Sequence, residues 1–204
     1  MMSNDLLTYQ KPFFLNWKNK LGSVDVSQDS FEKWLFLQVS GVIFGGKTGE
    51  LLILKKDFFT LPFDGFPDHI CSFCNSWSLK YSVLVMNGSS LKVIIYREEA
   101  VNQRLKKASK KILHCHLKYP FGLCAQSFFR ELSTRWRKSG RIPHEIGIAL
   151  GYPFKDVWGF MGLNNFRCNG SCGWQIFGDP EPSIRTRARF ENARRRAELL
   201  LQAA

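Results

Sequence analysis

No run of apolar residues in this chain approaches the roughly 20 that a membrane-spanning helix requires, which excludes a helical integral membrane protein. The first thirty residues also lack a continuous hydrophobic stretch. Asp5, Tyr9, Lys11, Trp17, Lys18 and Lys20 break up the apolar groups, so no secretory signal is recognisable and export is not expected. There is no internal repeat, low-complexity tract or Pro/Gly/Ser-rich linker, and nothing marks a second domain. A disulfide framework is not indicated either: six cysteines in 204 residues, without an export signal, fit free thiols or metal ligands and a reducing, cytoplasmic setting. Acidic residues are scarce in one segment. Residues 97–141 hold 12 Lys/Arg against 3 Asp/Glu, whereas residues 1–96 hold 9 against 8 and residues 142–204 hold 8 against 6, so the middle segment carries +9 of the +12 net charge.

Forty-five per cent hydrophobic residues suffice for a sizeable core. Residues 1–27 read as a loosely ordered lead-in and residues 28–204 as a single α+β domain. Asp29 and Glu32 have N-cap and N3 spacing ahead of Phe31, Trp34, Leu35 and Val39, which predicts a helix ending near Ser40 or Gly41. Leu51 to Leu54 suits a buried strand. Tyr81–Met86 and Leu91–Tyr96 flank Asn87-Gly88-Ser89-Ser90, a hairpin signal. From Glu98 the period becomes helical, with Val101, Leu105, Ala108 and Ile112 on one face and Lys106, Lys107, Lys110 and Lys111 mostly outside. A second basic helix carries Ala125, Phe129, Leu132 and Trp136 and stops at Gly140. Pro143 opens a short helix to Leu150, a turn follows around Asp156 to Met161, residues 173–177 read as a strand, and a last helix runs from Pro182. The expected fold is a small, mostly antiparallel sheet with a central hairpin, covered by helices.

The block Pro143-His144-Glu145-Ile146-Gly147, with Leu150-Gly151-Tyr152-Pro153, Asp156-Val157 and Gly159-Phe160, resembles the signature of a bacterial family catalogued as domain of unknown function 3793. A later segment around Trp174, Phe177, Gly178 and Asp179 is similar to the same family, as are Gly45-x-Lys47 and Ile95-Tyr96-Arg97. The likeness spans most of residues 30–200 and implies membership without implying an activity. One departure is that Val39-Ser40-Gly41 stands where members tend to have Cys-Ala-Pro, so a thiol function at that point would be absent here.

Several constellations carry candidate chemistry. Glu145-Ile146-Gly147, Gly151 and Val157 imitate helix-turn-helix spacing, but Lys155 to Gly162 offers few side chains that could read base edges and contains two glycines, which favours two short helices packed at a corner. His144, Glu145, Asp156 and Asp179 are the candidate acid/base residues. His144 and Glu145 are adjacent, though, and neighbours on a helix diverge by about 100°. Asp156 and Asp179 also suit caps. Cys71-x-x-Cys74 and Cys168-x-x-x-Cys172 could together make a four-thiolate metal site, with His69, His114 and His116 as further ligands, although the thiols also suit small hydrophobic packing. The arginines from Arg185 to Arg196 include Glu191–Arg195 and Arg194–Glu198 spacings that fit a solvated surface helix. No motif names a cofactor.

The leading expectation is a non-catalytic binding or accessory protein whose basic surface, including Lys106, Lys107, Lys110, Lys111, Arg135, Arg137 and Lys138, meets an anionic partner such as nucleic acid. The alternative is an enzyme or thiol/metal protein using the His144/Glu145/Asp156 region or the cysteine pairs.

Overall fold

A computed structural model describes residues 3–22 and 24–203. The fold is α+β. Its sheet is antiparallel throughout, in the order β1-β3-β2, formed by β1 (Gly49–Lys55), β2 (Lys80–Asn87) and β3 (Ser90–Tyr96). The hairpin lies where its turn residues predict. Asn87 Oδ1 accepts from the Ser89 and Ser90 amides at 3.1 and 2.8 Å, fixing the reversal. Central β3 pairs Val93 with both Leu52 and Val83, and a bulge after Val83 turns Leu84 into the core.

Alternation along the strands divides the core between the two faces of the sheet. On one face Leu52, Leu54, Leu91, Val93 and Ile95 pack with α1 (Ser3–Leu21), α2 (Val26–Phe44) and α3 (Phe66–Ser76). On the other, Leu84, Ile94 and Tyr96 meet α4 (Glu98–Lys107), α5 (Ala125–Ser139), α6 (Ile146–Ala149) and α7 (Phe154–Phe160). A two-stranded hairpin, β4 (Cys168–Ser171) and β5 (Gln175–Phe177), leads into α8 (Glu181–Gln202). Among the described residues no helix is long and apolar enough to cross a membrane.

Three sequence expectations need correction here. First, residues 3–21 of the lead-in form α1, and Trp17 is buried, stacked on Phe36 at 4.7 Å with its indole N–H donating to Glu32 at 2.6 Å. The helix escaped notice because polar residues interrupt its apolar ones. Residues 1, 2 and 23 of that segment lie outside the described residues. Second, α2 is capped by Asp25, whose carboxylate accepts from the Ser27 and Gln28 amides, and it continues through Val42 and Ile43 into the core. Asp29 instead pairs with Lys33 one turn on.

Third, the basic stripe is not on one helix. α4 stops at Lys107, Ala108 turns extended at ψ 149°, and the Ser109 hydroxyl accepts from the Ile112 amide to start a separate π-helical turn, Lys111–His116. Lys106 and Lys107 therefore end one helix while Lys110 and Lys111 open the next. Gly140, by contrast, ends α5 in the left-handed conformation its position predicts, at φ 68°.

Candidate functional site

After α2 the chain turns back through Gly45-Gly46 and lays the stem of Lys47 across Gly41, where a side chain on residue 41 would meet Lys47 Cδ at 3.2 Å. Lys47 Nζ then reaches Glu50 Oε2 at 2.7 Å and lies over the Phe190 ring, 5.4 Å from its centre. Between them Thr48 donates its hydroxyl to the Ala149 carbonyl at 2.6 Å, clasping the start of β1 to α6. Gly151 makes the return possible. It adopts φ 83° against the Thr48 amide, a conformation and a closeness that a side chain would obstruct. Arg104 holds this corner from behind, donating to the carbonyls of Ile148 and Tyr152 while its guanidinium covers the Phe154 ring. Burial lowers its pKa to about 10, and its charge is committed to the fold.

Asp156 ties the corner to the later hairpin. Its side chain is buried, and its two oxygens accept from Lys155 Nζ at 2.6 Å, the Phe177 amide at 2.9 Å, Trp174 Nε1 at 2.9 Å and Ser183 Oγ at 2.6 Å. Burial works against ionisation, but these four donors outweigh it and hold the carboxyl below its usual range. Lys155 also reaches the Phe177 carbonyl and Ser183 at 2.8 Å each. Trp174 is thereby fixed and stacks on Tyr152, ring centres 4.4 Å apart and 17° from parallel.

Two cavities meet at this pair. The first, about 460 Å³, has mainly apolar walls, among them Leu51, Ile146, Val157 and Phe160, with His144 beside them. The second, about 520 Å³, lies towards α8 and includes Lys47, Arg187, Arg194, Arg195 and Glu191. Glu50, Tyr152 and Trp174 belong to both. Burial raises the Glu50 carboxyl above its usual range, with Lys47 and Arg194 opposing it, and pushes the Tyr152 hydroxyl up to about 12.

The candidate acid/base residues are not brought together. His144 faces the first cavity, its ring edge-on to Phe160 at 4.7 Å. Glu145 is buried away from it, accepting from Tyr119 at 3.1 Å and Arg135 at 3.2 Å; both His144 and Glu145 sit in the turn before α6 rather than on the helix expected from the sequence. Asp156 reaches the cavity wall with its oxygens occupied, and Asp179 accepts from the Glu181 amide at the start of α8. Nor do the cysteine pairs meet. Cys71 and Cys74 lie on α3 and Cys168 and Cys172 at the β4–β5 hairpin; all six cysteines are free, and among the described residues no three His, Cys, Asp or Glu side chains form a group able to hold a metal ion. Cys74 is packed in the core, where burial pushes its thiol up to about 12.

The basic surface also changes. Arg135 is engaged by Glu131, Glu145 and the Leu117 carbonyl and lies over Tyr119, which ties its guanidinium into the fold. Lys106, Lys107, Lys110, Lys111, Arg137 and Lys138 remain exposed. On α8, Arg194 pairs with Glu198 as its spacing predicts, but Glu191 pairs with Arg187, leaving Arg195 against Asn192.

Sequence reasoning overlooked Glu50, a single acid at the head of an apolar strand with no local pattern; α8 does present Arg185, Arg187, Arg189 and Arg195 to solvent, as a surface helix would, while Arg187, Arg194 and Arg195 also border the second cavity. Lys47 and Trp174 were reached only through the family likeness. The structure nevertheless draws those segments, with the chain from Lys47 on to Glu50, around the two cavities, which are lined from residues 45–50, 143–160 and 174–179. No curated protein and no solved structure matches the chain. The profile of a family described as "Protein of unknown function (DUF3793)" matches residues 35–204, from within α2 to the end of α8, and the chain belongs to that family.

Proposed function

We propose that this protein binds a small organic molecule in the paired cavities around Tyr152 and Trp174. The observation that carries this reading is the convergence of residues 45–50, 143–160 and 174–179 on two adjoining spaces, each within the roughly 300–1,000 Å³ of small-molecule sites. Bonds from Thr48 to Ala149 and from Asp156 to Trp174 and Phe177 hold the walls in place before any ligand arrives. Pre-formed walls reduce the ordering cost of binding. Binding rather than catalysis is favoured because, of the carboxylates expected to assist His144, Glu145 and Asp179 lie elsewhere and both oxygens of Asp156 are occupied.

A second reading has its own observation. Lys106, Lys107, Lys110, Lys111, Arg137 and Lys138 are exposed, and among the described residues no ion pair engages them. They are available to phosphates of a nucleic acid or another polyanion, in binding that would weaken with salt and depend little on sequence.

One experiment separates the two. Native mass spectrometry is applied to the wild type and to Ile142→Trp, a change at the partly exposed rim that narrows the first cavity without touching the core. The expected result is a retained molecule of defined mass in the wild type and its loss from the variant. Equal retention by both, or none by either, would overturn the cavity reading. A heterogeneous nucleic-acid load stripped by high salt from both proteins would favour the basic surface.

A further inference from the structure

We propose that the ligand is an amphipathic acid, with an oxyanion head group held by Lys47, Arg187 and Arg195 in the second cavity and an apolar body lying past Trp174 in the first. The proposal rests on the binding reading above and adds the ligand's chemical class. It begins from the contrast between the two spaces. The first is walled by Leu51, Ile142, Ile146, Leu150, Val157 and Phe160, surfaces that gain by excluding water from a hydrocarbon or ring. The second presents four cations, Lys47, Arg187, Arg194 and Arg195, against two carboxylates, Glu50 and Glu191.

These cations are held in position. Lys47 has its stem folded over Gly41 and only 11% of its side chain exposed. Arg187 lies against the hairpin tip, where a side chain on Gly173 would come within 2.7 Å of its guanidinium nitrogen, and its Nε is fixed by Glu191 at 2.7 Å. Arg195 meets Asn192 and, among the described residues, no carboxylate. Planar guanidinium groups match the paired oxygens of a carboxylate or phosphate, and charge-assisted bonds of this kind exceed neutral ones in strength. Glu50 stands where the two spaces join. It is paired with Lys47, and burial raises its carboxyl above its usual range.

The test is isothermal calorimetry with octanoate, octyl phosphate, octan-1-ol and inorganic phosphate, on the wild type, Arg187→Gln/Arg195→Gln and Ile142→Trp. The two glutamines lie on exposed positions of α8 and keep good helix propensity, and thermal melting checks that the fold is intact. The expected result is that octanoate or octyl phosphate binds at least about ten-fold more tightly than octan-1-ol and inorganic phosphate. The double glutamine variant loses about ten-fold or more for the acid, about 1.4 kcal/mol, and nothing for the alcohol. Comparing the two acids identifies the head group. If octan-1-ol binds as well as the acids and the arginine changes have no effect, the acid class is overturned while the cavity reading stands. Inorganic phosphate binding as tightly as octyl phosphate would overturn the apolar body. No binding of any of the four by the wild type would overturn the acid class, and acid binding that is unchanged in Ile142→Trp would overturn the cavity reading as well.

Discussion

Gly159→Ala is expected to lower the thermal midpoint by roughly 6–12 °C, corresponding to about 3 kcal/mol for a chain of this size. A methyl group at this position would lie 2.2 Å from Cγ of Phe177 and 2.6 Å from its Cβ. Rotating the ring cannot relieve contact with its own Cβ, and the Phe177 backbone is anchored to Asp156. Either β5 or α7 must shift, opening the wall that carries Trp174. Alanine in a helix would otherwise be favoured by about 1 kcal/mol, so a loss in stability would report the clash directly. Gly88→Ala provides the control. Nothing lies within 4 Å of its added methyl, and a change within about 0.5 kcal/mol is expected by the same thermal melt.

Asp156→Ala is expected to cost about 3–5 kcal/mol, because it leaves Lys155 and three further donors without their shared acceptor. Denaturant titration would show a lower midpoint, and the tryptophan emission of the folded protein should change as Trp174 is freed. Asp156→Asn isolates the contribution of the charge. The wild-type carboxyl is held below its ordinary range in the fold and titrates at about 3.9 when unfolded, so its stabilising effect is fully present at neutral pH. As pH falls through the ordinary carboxyl range towards the folded value, the unfolded chain takes up the proton first and the effect is lost. The stability gap between wild type and Asp156→Asn should therefore be widest near pH 7 and narrow below about pH 4. A gap that grew on acidification would contradict a charge stabilised by these donors.

Much of the fold could be read from local signals because those signals are strong here. Asn87-Gly88 between two β-rich runs defined the hairpin, and Gly140 after a stripe ending at Trp136 closed α5. Elsewhere the deciding contacts lie far apart in the chain. Four exposed residues, Cys168 to Ser171, carry no hydrophobic alternation, so β4 exists only through its pairing with β5. The run from Val101 to Ile112 keeps helical spacing, but the Ser109 hydroxyl starts a new segment and the stripe is divided.

The site was legible only in part, for the same reason. His144, Tyr152, Asp156 and Trp174 stood out through the family likeness, yet which of them face a space and which hold the walls depends on partners up to 101 residues away, as with Thr48 and Ala149. Glu50 acquires its role from Lys47 and from burial, neither of which marks it in sequence. Arg187 and Arg195 are exposed yet border the second cavity because α8 packs along α2, with Ala193 against Gly45.

Hydrogen exchange with and without octyl phosphate tests most directly whether residues 45–50, 143–160 and 174–179 act as one site. Added protection of backbone amides is expected in all three segments together, at the same ligand concentration, with its loss in Ile142→Trp. Protection confined to the exposed lysines of residues 106–111 and their neighbours, or absent from any two of the three segments, would contradict it.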